Sequence, residues 1–180
     1  MSASLKGLGK RSVKVGVLMG SQSDLAKMEK AAEVLNAFGV AHEILVLSAH
    51  RLPHRVAEYA KQAESRGIQV LIAGAGMANH LAGALAANCT LPVIGVPLSG
   101  SALSGVDALY ATVQMPTGVP VATVAIDGVA NAAYLAVEIL ALQDNSLAQR
   151  LVAHRRAERA KLEAALSASS KRAAKPKPAW

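Results

Sequence analysis

One pattern recurs five times along this chain: a short apolar run, a loop of small or polar residues, then a longer segment with apolar residues at helical spacing. Residues 13–19 (VKVGVLM) are rich in Val and stop at GSQSD, 20–24, which predicts a strand ending in a tight turn. Leu25, Met28, Ala31, Ala32, Leu35 and Phe38 then recur at helical spacing, predicting a helix over 25–38 that Gly39 ends. Further strands are expected at 43–47, 69–73, 92–96 and 119–126, and helices at 53–65, 79–88, 102–112 and 130–142. Pro53 opens the second helix and Gly67 lies past its end, as helix termini favour. Strands that alternate with helices pair in parallel and are covered on both faces. The expected fold is therefore α/β, a three-layer αβα sandwich with a flavodoxin-like five-stranded parallel sheet. An extra C-terminal helix is expected over 146–166.

A chain of 180 residues with 52% apolar and 17% charged residues has enough apolar surface for one core, which excludes a disordered chain. The expected division is a disordered segment over 1–12, a single catalytic domain over 13–166 and a basic disordered tail over 167–180. The mean hydropathy is positive, +0.31. No apolar run approaches the ~20 residues that a membrane-spanning helix needs, so no membrane partner is expected. Lys6, Lys10, Arg11 and Lys14 precede no apolar stretch of a secretory signal, and the single Cys89 cannot form an intramolecular disulfide. Both point to the cytoplasm. The net charge of +7 resides in the ends: residues 1–14 carry +4, residues 150–180 carry +7, and the body carries −4. An acidic body is poor material for a groove that follows a phosphate backbone, so no nucleic-acid partner is expected.

In an open parallel sheet, ligands bind beyond the carboxyl ends of the strands, where strand order reverses. Three loops expected there carry unusual side chains. The first, 20–24, brings Ser21, Ser23 and Asp24 to a helix entrance, where free N–H groups favour an anion. The second, 48–53, brings Ser48, His50 and Arg51. The third, 74–80, is GAGMANH, whose small residues admit a ligand close to the backbone and whose His80 enters the next helix. Each has a plainer reading. Ser21, Ser23, Asp24 and Ser48 are all good helix caps, and the glycine loop lacks both dinucleotide spacing and a Walker lysine. Together they suit a phosphate monoester (serines and arginine), sugar hydroxyls (carboxylate) and proton transfer near neutral pH (histidines). His42, His54 and His154 fall outside these loops and Cys89 lies at a helix carboxyl end, so solvated or packing roles fit them better. No His, Cys and carboxylate group has metal-ligand spacing.

At these loops the sequence resembles the 5-(carboxyamino)imidazole ribonucleotide mutases of purine biosynthesis, the class I form of phosphoribosylaminoimidazole carboxylase catalytic subunits. The likeness covers roughly 13–142. It rests on GSQSD at 20–24, SAHR at 48–51, AGAGMANHL at 73–81, LPVIGVP at 91–97 and SALSGVDALYATVQMPTGVPVATVAI at 101–126, in that order.

The resemblance implies a small ribonucleotide substrate. Ser21, Ser23 and Arg51 would hold its 5′-phosphate and Asp24 its ribose hydroxyls. Ser48, Gly74, Ala75, Gly76, His80 and Leu81 would surround the imidazole and the migrating carboxyl group. His50 corresponds to the family's catalytic histidine, with His80 as the second catalytic candidate. The implied reaction transfers carboxylate from the exocyclic nitrogen to C4 without ATP, biotin or metal, in a homo-oligomer, the octamer. The chain departs from the family at Met77, where many members have glycine, at Asn79, where a small residue is usual, and at Thr117, where arginine or glycine is common. The related class II enzymes lack the histidine seen here as His80, which favours the mutase over direct carboxylation of aminoimidazole ribonucleotide by CO₂. A nucleotide- or flavin-binding module using the same crevice without turnover remains a third reading, and a basic-tailed scaffold a fourth.

Overall fold

The computed structural model describes residues 12–173. The expected segment at 1–12 therefore lies outside the described residues except for Ser12, and so does 174–180 of the expected tail. Five strands, β1 (Val15–Met19), β2 (His42–Val46), β3 (Val70–Ala75), β4 (Val93–Pro97) and β5 (Ala122–Thr123), form one sheet in the order β2-β1-β3-β4-β5, all parallel. The helices are α1 (Leu25–Ala37), α2 (Pro53–Ala63), α3 (Leu81–Ala86), α4 (Val106–Val113), α5 (Val129–Ala141) and α6 (Asn145–Ala173). This is the expected αβα sandwich.

The three central strands β1, β3 and β4 are buried throughout, as strands covered on both faces must be. Leu18, Leu71, Ile72 and Ile94 are fully buried within them, each contributing roughly 1.5–3 kcal/mol by leaving water. From α1, Met28, Ala31 and Leu35 face this core at helical spacing, and from α2, Val56, Tyr59, Ala60 and Ala63 do so. Two helix ends expected from glycine are found: Gly39 has φ +64° and Gly67 has φ +92°.

Three elements differ from expectation by more than two residues at a boundary. The fifth strand was expected over 119–126 but pairs only at Ala122 and Thr123, because Pro120 carries no N–H to donate and Val119 N–H turns back to the Pro116 carbonyl. The fourth helix was expected from 102 but starts at Val106, because Ser104 (φ +51°) and Gly105 (φ +89°) are both left-handed and cannot continue a right-handed helix. The tail expected from 167 is helical as far as Ala173, since Ala, Ser, Lys and Arg all tolerate a helix and the first proline comes only at Pro176.

Contacts divide the chain into two compact units after Leu140, inside the span expected to be one domain. The second unit consists of the end of α5 and α6. Among the described side chains of α6, Leu147 and Leu151 are buried, and Val152, Leu162 and Leu166 are exposed by 60% or more. Among the described residues no helix is long and apolar enough to cross a membrane.

Candidate active site

Because β1 lies between β2 and β3, the loops after these three strands leave the sheet side by side. Gly20 N–H donates to the Gly74 carbonyl (3.1 Å), which ties the first loop to the third. A Cβ on Gly20 would stand 3.2 Å from Ala75 Cβ, so only glycine leaves the loops room to approach this closely. The second and third loops meet through their histidines: the His50 and His80 ring centroids are 5.4 Å apart, with 38° between the planes. Both histidines are exposed.

The first loop is organised by its own hydroxyls. Ser21 Oγ accepts from the Ser23 N–H (3.3 Å) and from Ser23 Oγ (2.9 Å), while Asp24 Oδ2 accepts from the Ser21 N–H (3.1 Å). This capping box holds a single 3-10 turn, Gln22–Asp24, in front of α1. The capping reading of Ser21 and Asp24 is therefore correct as local structure. It also fixes both side chains at a helix entrance beside the glycine loop, where an anion is favoured. Burial pushes the Asp24 carboxyl above its ordinary range, against the opposing effects of the Ser21 N–H and the Lys27 ammonium.

In the second loop Ser48 Oγ accepts from the Arg51 N–H (3.3 Å), so it closes a turn rather than capping α2, whose N-cap is Leu52. Arg51 is exposed at the same rim. The third loop is shorter than 74–80: Gly74 and Ala75 are the buried end of β3. A Cβ on Gly74 would run into the Met28 thioether, so a larger residue there would require that side chain to shift. Gly76 is half-buried, and its open side is closed by the Leu98 carbonyl, 3.2 Å from where a Cβ would be. Leu81, 1% exposed, begins α3 and sends its side chain into the core.

Sequence reading missed a second polar cluster at the same end of the sheet. Lys27 Nζ shares its three protons among Asp127 Oδ1 (2.9 Å) and Oδ2 (3.0 Å), Ser99 Oγ (2.6 Å) and the Ser99 carbonyl (2.8 Å). Ser99 N–H and Oγ both donate to Asp127 in turn. Burial acts to raise the Asp127 carboxyl, but the bonds from Ser99 and Lys27 outweigh it and hold the group below its ordinary range. No local motif signals a lysine whose partners lie 72 and 100 residues away. Among the described residues no three His, Cys, Asp or Glu side chains are placed to hold a metal. A separate groove of about 410 Å³ runs along β2 and α2, lined by Leu45, Val46, Leu47, Arg55, Glu58, Tyr59 and Gln62. None of the expected site residues faces it.

The fold and these loops define an α/β sandwich whose polar, histidine-bearing crevice lies where the strand order reverses. Residues 14–161 match the family described as AIR carboxylase, and the chain belongs to that family. It is 56% identical over 142 residues to the N5-carboxyaminoimidazole ribonucleotide mutase of Pyrococcus abyssi, covering 79% of this chain and 82% of that protein. It is also 56% identical over 137 residues to the phosphoribosylaminoimidazole carboxylase of Saccharomyces cerevisiae, but these cover only 24% of that longer protein. A crystal structure of Treponema denticola PurE superposes with a TM-score of 0.76 at 31% identity, covering 87% of this chain and 96% of that one.

Proposed function

We propose that this chain is an isomerase of purine biosynthesis that moves the carboxylate of 5-(carboxyamino)imidazole ribonucleotide from the exocyclic nitrogen to C4. The observation that carries this reading is the facing pair His50 and His80, held at the crevice where the Ser21–Asp24 capping box opens α1. Cleavage of the N–C bond releases CO₂ as the nitrogen gains a proton. C4 then bonds to the same CO₂ and loses its own proton. One imidazole that gives the first proton and accepts the second leaves the balance unchanged, and His50 has this role. His80 lies across from it, and the loop around Gly76 encloses the CO₂.

Ser21, Ser23 and Arg51 hold the phosphate, with the helix entrance supplying N–H groups. Asp24 accepts from the ribose hydroxyls. Ser48, Gly74, Ala75, Gly76 and the backbone of Leu81 border the base. The reaction as written consumes no ATP and needs no biotin or metal, and the ribonucleotide is the partner. The free thiol of Cys89 fits a reducing cytoplasm.

The active form is a homo-octamer in this reading. Supporting it, Val106, Tyr110 and Val113 share one face of α4 and are 42%, 62% and 49% exposed, with Leu103 (62%) continuing the stripe into the preceding turn. An apolar stripe of this kind is better suited to a subunit contact than to water.

The yeast relative's name favours a second reading, direct carboxylation of aminoimidazole ribonucleotide by CO₂. The two are separated by supplying purified protein either with the carboxyamino substrate or with aminoimidazole ribonucleotide and bicarbonate. The proposal requires faster formation of the C4-carboxylated product from the former. Product from bicarbonate alone would replace it with the carboxylase reading.

A further inference from the structure

We infer that Asn79 and Thr112 form a buried brace that positions His80 in the crevice, an inference that rests on the function proposed above. Apart from the Tyr59 phenol, these two residues carry the only buried polar side chains among the described residues, at 2% and 1% exposure. They are bonded to each other. Asn79 Nδ2 donates to Thr112 Oγ1 (2.8 Å) and, more weakly, to the Val96 carbonyl (3.4 Å). Thr112 Oγ1 donates to the Ala108 carbonyl (2.6 Å), so toward Asn79 it acts as acceptor, which fixes the orientation of the amide. The residue immediately before His80 is thereby tied to both β4 and α4. Gly95 makes the arrangement possible, since a Cβ there would collide with Thr112 Cγ2.

The brace is a poor device for stability alone, because Asn79 Oδ1 is buried with no hydrogen-bond partner among the described residues. An unpaired buried amide oxygen works against folding, and an alanine at 79 would avoid it. The local backbone, by contrast, is irregular. Met77 is left-handed (φ +51°), Asn79 N–H folds back onto the Met77 carbonyl, and α3 does not begin until Leu81. Residues 76–80 thus belong to no strand or helix. The side chain of Asn79 anchors this stretch to the sheet and so sets where the exposed His80 ring stands opposite His50. Asn79 is a positioning residue, acting through His80.

The test uses Asn79→Ala, Thr112→Val and Thr112→Ser in the full chain. The first two should lower kcat by roughly tenfold or more, the scale on which small misplacements are felt in catalysis, with KM little changed. Asn79→Ala should melt no lower than wild type, and Thr112→Ser, which keeps the acceptor, should retain wild-type kcat. The His80 ring resonances of the substrate-free protein, assigned with His80→Gln, should move in Asn79→Ala and Thr112→Val and stay in place in Thr112→Ser. This second readout needs no turnover. A wild-type protein inactive on the carboxyamino substrate would sink the functional reading, while the ring resonances would still decide the brace. Wild-type kcat in Asn79→Ala or Thr112→Val, or unmoved His80 resonances in both, would overturn it.

Discussion

His50 and His80 are thirty positions apart in the chain, yet their rings face each other with centroids 5.4 Å apart, because their loops follow strands on either side of β1. Replacing His50 with Asn keeps a polar group on an exposed loop and removes the proton carrier. Turnover should fall by about 10²-fold or more with the melting curve unchanged. Rates within a few-fold of wild type would transfer the role to His80.

Arg51 is assigned to the phosphate, so Arg51→Ala should weaken ribonucleotide binding by about 10- to 150-fold, the worth of one hydrogen bond to a charged group. Affinity for the dephosphorylated nucleoside should hardly change. Equal losses for both ligands, measured by calorimetry, would refute the assignment.

The Lys27–Asp127 pair sets a pH dependence whose sign is fixed. The Asp127 carboxyl is held below its ordinary 3.8, so its contribution to stability is present above that value and is lost as pH falls through the lower folded value. Asn tolerates the left-handed backbone of residue 127 (φ +56°), which makes Asp127→Asn a clean removal of charge. Both side chains are more than a third exposed, so the loss at pH 7 should be modest, about 1 kcal/mol or less. Urea titrations should show that difference vanish in strong acid. A difference that persists or grows there would contradict the pairing.

Met77 has a left-handed backbone and a side chain 62% exposed. Met77→Gly removes backbone strain of about 1–2 kcal/mol while adding somewhat less unfolded-state entropy, and it sacrifices no buried contact. The melting temperature should rise slightly. A clear fall would show that the methionine packs against something in the assembled protein.

Tyr110→Glu places a charge in the exposed apolar stripe of α4, at a position outside the three crevice loops. Light scattering behind a sizing column should show an assembly of eight chains for wild type and smaller species for the variant. A wild-type species of 18.5 kDa would refute the octamer.

The five βα units were legible because apolar period and turn residues agree within each one: 13–19 stops at GSQSD and 25–38 at Gly39. Where local signals conflicted, boundaries moved. Val119, Val121 and Val124 resemble a strand, but Pro120 and an edge position leave only two paired residues. The three crevice loops were legible as polar residues after apolar runs. Their finer roles were not, since Gly74 abuts the Met28 thioether and the Asn79–Thr112 bond spans 33 positions. The Lys27, Ser99 and Asp127 cluster depends on strand order, which adjacent residues do not encode.

The most direct test of the central claim follows the carboxyl carbon itself. Substrate carrying ¹³C in the N-carboxyl group is mixed with purified protein in excess unlabelled bicarbonate, without ATP, and read by ¹³C NMR. Transfer through a CO₂ held in the crevice gives a C4-carboxylate signal that retains the label. Decay to aminoimidazole ribonucleotide at the rate seen in buffer, with no labelled C4-carboxylate, would contradict it.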